Sequence, residues 1–116
     1  MERDAPFREP VATPDAQRAL HAVRRSAGAR RLSYSPKAQA ELQGLPEELD
    51  AEDIASLLCD VADTAIVKCE GDRDRPGRMV LILRVSMGAW DAYCKISLRP
   101  DVDHDTVVLS FHRWSP

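Results

Sequence analysis

The stretch Trp90-Asp-Ala-Tyr-Cys-Lys-Ile-Ser-Leu98 carries the clearest strand pattern in the chain. Apolar and polar residues alternate along it, which is the two-residue period of a strand with one buried face. The residues predicted to face the core are Trp90, Ala92, Cys94, Ile96 and Leu98. Tyr93 and Lys95 therefore share the polar face.

A second strand is predicted across residues 107–114, Val-Val-Leu-Ser-Phe-His-Arg-Trp. Alternation along a regular strand would place one apolar set on the buried face: Val107, Leu109 and Phe111. Ser110 and His112 would then point the other way. A hairpin of the two strands would gather the Tyr93 phenol, the Lys95 ammonium and the His112 imidazole on one side. These three groups can do phosphate chemistry.

The rest of the sheet is predicted upstream of this hairpin. Residues 78–85 form a near-continuous apolar run, which is typical of a central strand covered on both faces. Before it, a short apolar run after Thr64 ends in Lys68, and a loop follows over 71–77. Residues 29–34 fit either a strand or an extended link. The C-terminal half is thus predicted to form a three-stranded antiparallel meander.

Capping signatures predict three helices in the N-terminal half. Thr13-Pro14 and Ser35-Pro36 each put a cap before a proline at the first helical position, which opens helices over about 14–27 and 37–43. A third helix begins at Asp50, and its apolar residues recur at spacings of three and four. That apolar set is Ile54, Leu57, Leu58 and Val61. We expect this third helix to lie on the core.

These elements predict an α+β fold, with the N-terminal helices packed on one face of a small antiparallel sheet formed mainly by the C-terminal half. A chain of 116 residues is the size of one domain, which we assign to residues 13–116. Residues 1–12 hold two prolines, charges of both signs and little apolar material. They are predicted to be a mobile N-terminal arm.

Composition indicates a cytoplasmic protein. No apolar run approaches the length of a membrane span, and the first residues lack the apolar core of a signal peptide. The three cysteines are odd in number and show no Cys-x-x-Cys spacing. We therefore expect reduced, mostly buried thiols and no metal site.

The net charge of −3 conceals an uneven distribution along the chain. Residues 1–45 carry eight Lys/Arg against five Asp/Glu, residues 46–77 carry three against ten, and residues 78–116 carry five against four. The acidity thus belongs to the middle segment. An acidic protein is a poor candidate for binding nucleic acid as a whole, but the polar face of the hairpin need not share that charge.

Three segments stand in a recognisable order: Asp63-Thr-Ala-Ile-Val-Lys68, Tyr93-Cys-Lys95-Ile96 and Val108-Leu-Ser-Phe-His112. With the helices before them, they resemble the MqsR family of toxins from bacterial toxin–antitoxin operons. The resemblance covers most of the chain from about residue 13 and implies a RelE-like α+β fold.

The resemblance implies a metal-independent endoribonuclease that needs no cofactor, cuts mRNA and is held inactive by an antitoxin protein. Carried over by position, it implies a catalytic set of Lys68, Tyr93 and His112. Substrate binding is assigned to Lys95, Arg84 and Arg113. The chain departs from the family in the apolar Val80, where a polar, glutamine-like residue is expected, in a histidine at 112 in place of lysine, and in its acidity.

RNA carries its own nucleophile, the 2′-hydroxyl, so cleavage needs a base, an acid and positive charge beside the phosphate. His112 suits the acid or base role, Lys68 and Lys95 can neutralise phosphate oxygens, and Tyr93 can orient the phosphate or transfer a proton. The alternative is a RelE-like protein-binding or regulatory module without nuclease activity. A DNA-gyrase poison of the same superfold is a third option. If the chain is a module without nuclease activity, the lysines keep the surface soluble and Tyr93 packs against Arg84 or Arg99.

Overall fold

The computed structural model describes residues 13–115. Its helices are α1 (Pro14–Gly28), α2 (Pro36–Gln43) and α3 (Ala51–Cys59), followed by a single 3-10 turn (Asp63–Ala65). Its strands are β1 (Ser33–Tyr34), β2 (Ile66–Gly71), β3 (Met79–Ser86), β4 (Asp91–Leu98) and β5 (Thr106–Arg113). The arm predicted over residues 1–12 lies outside the described residues.

Side-chain caps set the three helix starts, as the sequence predicts. Thr13 and Ser35 each accept a hydrogen bond from the backbone N–H three residues on, at 3.1 and 3.0 Å. Asp50 and Asp53 accept from each other's backbone N–H at 2.9 and 3.0 Å, which is a complete capping box. Helix α3 ends at Cys59, before Val61, which is nevertheless buried in the segment that follows.

The five strands form one mixed sheet in the order β1-β5-β4-β3-β2. Strands β2 to β5 are antiparallel neighbours, whereas β1 pairs parallel to β5. The predicted sheet of three antiparallel strands is therefore only the middle of the observed sheet. One further strand lies at each edge, and one of these two, β1, is parallel to its neighbour. Residues 29–34 were predicted to be either a strand or an extended link, and Ser33–Tyr34 form a strand of two residues. Strand β2 was not predicted, because it is largely exposed.

Helix α1 lies across one face of the sheet, and α3 packs against α1. The alternation predicted for β4 is confirmed, since its four apolar residues are completely buried: Ala92, Cys94, Ile96 and Leu98. From α1, Leu20 and Val23 complete this core. The opposite face of β2–β5, which we call the open face, carries Tyr93 and other partly exposed side chains.

Strand β3 is central and is covered completely on one face only. Leu81, Leu83 and Val85 are buried in the core; on the open face Val80 is buried, Ile82 is half-buried and Arg84 is exposed. The expectation of a strand covered on both faces therefore holds only at the Val80 end, because an apolar run does not reveal which of its sides a helix covers.

Strand β5 contains a bulge that the sequence analysis did not anticipate. Lys95 pairs with Ser110, but the next residue of β4 pairs with Val108, so Leu109 is an extra residue. Val108 and Phe111 therefore both face the core, while Val107 and Leu109 are only half-buried. The prediction that Val107, Leu109 and Phe111 share the buried face is wrong, because one inserted residue reverses the alternation on one side of it.

Within residues 13–115, no helix combines the length and the apolar character needed to cross a membrane.

Candidate functional site

Tyr93 and His112 form the centre of the open face. They are directly opposite each other on β4 and β5. Their rings stack with centroids 4.7 Å apart and an angle of 11° between the planes. The bulge lies before His112 in the strand, so the predicted common face of Ser110, His112 and Tyr93 is retained.

Glu41, which the sequence analysis missed, approaches this pair from α2. Its Oε1 accepts hydrogen bonds from the Ser110 hydroxyl at 2.7 Å and from the Phe111 backbone N–H at 3.1 Å. Its Oε2 lies 4.0 Å from the Nε2 of His112. The side chain is only 22 % exposed, so the carboxylate is held in place beside the imidazole.

The spacing of apolar residues in α2 contained a sign that Glu41 faces the protein interior. Ala38, Leu42 and Leu45 recur at the three- and four-residue spacing of one helix face, and Glu41 lies on that same face. An acid within an apolar face is unusual, because carboxylates are rarely buried without a partner. Its partner was not visible, since Phe111 is distant in sequence.

The tautomer of His112 follows from its hydrogen bond. Its Nδ1 lies 2.8 Å from the backbone oxygen of Arg113. A carbonyl oxygen can only accept, so Nδ1 carries a hydrogen and Nε2 is the nitrogen that gains or loses a proton. The Glu41 carboxylate lies on the Nε2 side of the ring.

The Tyr93 phenol stays protonated at neutral pH. Partial burial raises its pKa above the usual value, and the negative charge of Glu41 acts in the same direction. This phenol is therefore a hydrogen-bond donor and a possible acid, but not a base. The thiol of Cys94 behind it is completely buried, burial raises its pKa to about 12, and it remains uncharged.

The two lysines predicted for the site have different positions. Lys95 follows Tyr93 on the same face of β4, opposite Ser110, and lines a groove of about 260 Å³ with Arg75. Lys68 shares the face, but Ile82 of β3 lies between it and Lys95, a separation of about 10 Å across two strand spacings. Its Nζ lies 3.5 Å from Glu70.

The two arginines predicted to bind substrate lie on opposite faces of the sheet. Arg84 is opposite Tyr93 on the open face, donates to Asp91 at 2.8 Å and lies over the ring of Trp114. Arg113 is on the helix-covered face, where it donates to Glu47 at 3.1 Å and lies 4.7 Å from the centroid of the Trp90 ring. The structure does not bring Arg113 to the other five residues.

Val80, the apolar departure from the family, lies two rows away from the Tyr93–His112 pair on this face. Val80 is opposite Ser97, whereas Ile82 is opposite Lys95 and Arg84 is opposite Tyr93. The β3 residue beside the two ring side chains is thus an arginine, and the position of Val80 is less central than its order in the chain indicated.

Comparison with family models, with curated proteins and with solved structures finds no match to this chain.

The open face combines groups that suit proton transfer next to an anion. His112 offers a basic nitrogen, Tyr93 offers an acidic phenol beside it, and Lys95 offers positive charge. Among the described residues, no group of three or more His, Cys, Asp or Glu is arranged to hold a metal ion. All three cysteines are free thiols, and only Cys94 is fully buried, so the expectation of mostly buried thiols holds for that residue alone.

Proposed function

We propose that this chain is the toxin of a type II toxin–antitoxin pair, a RelE-like endoribonuclease of the MqsR type that cleaves mRNA in the cytoplasm without a metal. The observation that supports this function best is the His112 ring, stacked on Tyr93 and faced by the Glu41 carboxylate on an exposed sheet face. The three groups are a base, an acid and an orienting carboxylate around a space that is open to a polymer.

In the proposed reaction, the Nε2 of His112 takes the proton of the ribose 2′-hydroxyl. The 2′-oxygen then forms a bond to phosphorus, and the bond from phosphorus to the 5′-oxygen breaks. The Tyr93 phenol gives its proton to that leaving oxygen. The proton that His112 took then returns through water to the Tyr93 phenolate, so both side chains end in their starting states. The products are a 2′,3′-cyclic phosphate and a 5′-hydroxyl, with atoms and charge conserved.

Three charged residues support these steps. Lys95, beside Tyr93, would neutralise the non-bridging oxygens as negative charge builds up on phosphorus. Lys68 would contribute more weakly, because Glu70 faces its ammonium group. Glu41 would stabilise the imidazolium formed at His112 by its negative charge. It does so from the side of Nε2, whereas the carboxylate of a serine protease binds the other ring nitrogen; at His112 that other nitrogen is held by the carbonyl oxygen of Arg113.

The proposed test incubates the purified protein with mRNA in excess chelator and identifies the new ends. His112→Ala and Tyr93→Phe should each reduce cleavage by roughly 10²–10⁴-fold, the typical contribution of one general acid or base. Matched controls are His21→Ala on the exposed face of α1 and Tyr34→Phe near α3, which should cleave normally. Undiminished cutting by both site variants would remove this site assignment.

The second candidate is a non-catalytic module that binds an antitoxin or another protein. It is favoured by the ion pairs of Lys68 with Glu70 and of Arg84 with Asp91, which reduce the positive charge offered to RNA. Induced expression separates the two candidates. A ribonuclease should arrest growth unless its antitoxin is co-expressed, and His112→Ala should abolish the arrest. If the protein is a non-catalytic module, cells should grow whether they express the wild-type protein or His112→Ala.

A further inference from the structure

Trp114 extends the open face beyond the end of β5. Its backbone N–H donates to the carbonyl oxygen of Asp91 at 2.8 Å, so the pairing of β5 with β4 continues to this residue. Residues two apart in a strand point to the same side, which puts the indole on the same face as the imidazole of His112. The two side chains are about 7 Å apart along the strand.

The indole ring has two partners on this face. The Tyr93 ring lies 5.8 Å from it, tilted by 40°, and the Arg84 guanidinium lies 4.9 Å from its centroid. Arg84 is in turn fixed by its 2.8 Å bond to Asp91. His112, Tyr93, Trp114 and Arg84 thus form a continuous row of flat groups, which we call the stacking row.

The other tryptophan shows what a structural role looks like in this protein. Trp90 packs against the hydrophobic core, and its ring N–H donates to Glu47 at 3.0 Å. Trp114 is not part of that core, and its side chain is partly exposed. Its ring is held by Tyr93 and Arg84 on the open face, and the part of the ring that they leave exposed is accessible to a flat ligand.

We propose that Trp114 is a stacking subsite for an unpaired nucleobase of single-stranded RNA. A ring supported by a tyrosine and an arginine offers π and cation–π contacts to any base. Bases in a duplex are already stacked on both sides, so only an unpaired base can reach the indole. The substrate class is therefore single-stranded RNA, with the base beside the reacting phosphate seated at Trp114.

This inference rests on the proposed function, because it concerns the same face and the same substrate. The stacking row joins the two directly: Tyr93 contacts the rings of both His112 and Trp114. A base held on Trp114 would position the adjacent phosphate near the phenol and the imidazole. Trp114 is thus a binding residue, and it takes no part in proton transfer.

Fluorescence of the full chain tests the subsite without requiring cleavage. Trp90→Phe leaves Trp114 as the tryptophan signal, and Trp114→Phe leaves Trp90 as the control. The probe is a short single-stranded 2′-O-methyl RNA, which lacks the nucleophile and cannot be cut. We expect saturable quenching in the Trp90→Phe protein and none from Trp90 in the Trp114→Phe protein.

Two further comparisons fix the chemistry of the ligand. An abasic sugar-phosphate chain of equal length and the matching duplex should both bind more weakly than the single strand. Trp114→Ala should weaken single-strand binding by about 5- to 150-fold, which corresponds to 1–3 kcal/mol per stacked base at 1.4 kcal/mol per tenfold. Trp114→Phe should lose less, since a ring remains, and its thermal unfolding serves as the folding control.

Each outcome bears on one claim. Equal binding of the abasic chain, equal binding of the duplex, or no binding at all would overturn the subsite. Binding with quenching but no cleavage of ordinary mRNA would support the subsite and contradict the nuclease. Cleavage that is unaffected by Trp114→Ala, with no quenching, would overturn the subsite and leave the nuclease standing.

Discussion

Glu41 of α2 and His112 of β5 approach each other to 4.0 Å, between Oε2 and Nε2. The other oxygen of the carboxylate is occupied by the Ser110 hydroxyl and the Phe111 N–H. Glu41 therefore links two roles: it satisfies the backbone of β5 just after the bulge, and it faces the imidazole with negative charge. A variant that preserves one role and removes the other can separate stability from activity.

Glu41→Gln keeps an oxygen that can accept both hydrogen bonds but loses the charge. We expect near-normal stability and a fall in cleavage rate of roughly 10- to 100-fold, typical of residues that orient a reacting histidine. Glu41→Ala should also lose about 1–3 kcal/mol of unfolding free energy, because the Phe111 N–H is left without a partner. Urea unfolding and initial rates measure the two effects. Equal activity of wild type and Glu41→Gln would contradict the role given to the charge.

Lys95 and Arg113 are a matched pair of cations on opposite faces of the sheet. Lys95→Ala should reduce cleavage by about tenfold or more, because positive charge is lost beside the phosphate. Arg113→Ala should leave the rate nearly unchanged, since its contacts are with Glu47 and Trp90 on the helix-covered side. Single-turnover rates of both variants decide the point. A large loss for Arg113→Ala would mean that the substrate reaches the other face.

The sequence predicts the parts of this fold that rest on local pattern. Thr13, Ser35 and Asp50 mark helix starts because a cap is a contact between near neighbours in the chain. The alternation from Trp90 to Leu98 is equally readable, because every second residue of β4 faces the same core. Tyr93 and His112 could be paired on this basis, once a hairpin was assumed.

The remainder depends on contacts between distant segments. The bulge at Leu109 exists only relative to the partner strand, so alternation alone assigned Val107 and Leu109 to the wrong face. Glu41 joins the site because the packing of α2 against β5 brings them together, and this does not follow from a periodicity within one segment. Arg113 is different: it directly follows His112 on β5, and adjacent residues of a strand point to opposite faces, so alternation alone excludes it from the face of His112.

Deleting Leu109 tests the bulge directly. Without the extra residue, either Val108 or Phe111 must leave the core or the register must slip, so we expect a loss of about 2–3 kcal/mol in unfolding free energy. Leu109→Ala keeps the bulge and removes only a half-buried side chain, which should cost clearly less. Urea unfolding of both variants supplies the comparison. Equal losses would show that the bulge does not set the register of β5.

The buried Cys94 thiol predicts a loss of stability at alkaline pH. Burial raises its pKa from the ordinary 9.0 to about 12 in the folded protein, so the unfolded chain ionises first. Its stabilising contribution is complete below pH 9 and is lost as pH rises toward 12, at up to about 1.4 kcal/mol per pH unit. Urea unfolding under reducing conditions should therefore show a shallower alkaline decline for Cys94→Ala than for wild type, whatever the cost of the substitution at neutral pH. Cys59→Ala, which changes a half-buried thiol, is the control and should follow wild type. Parallel curves for wild type and Cys94→Ala would exclude this thiol as the cause.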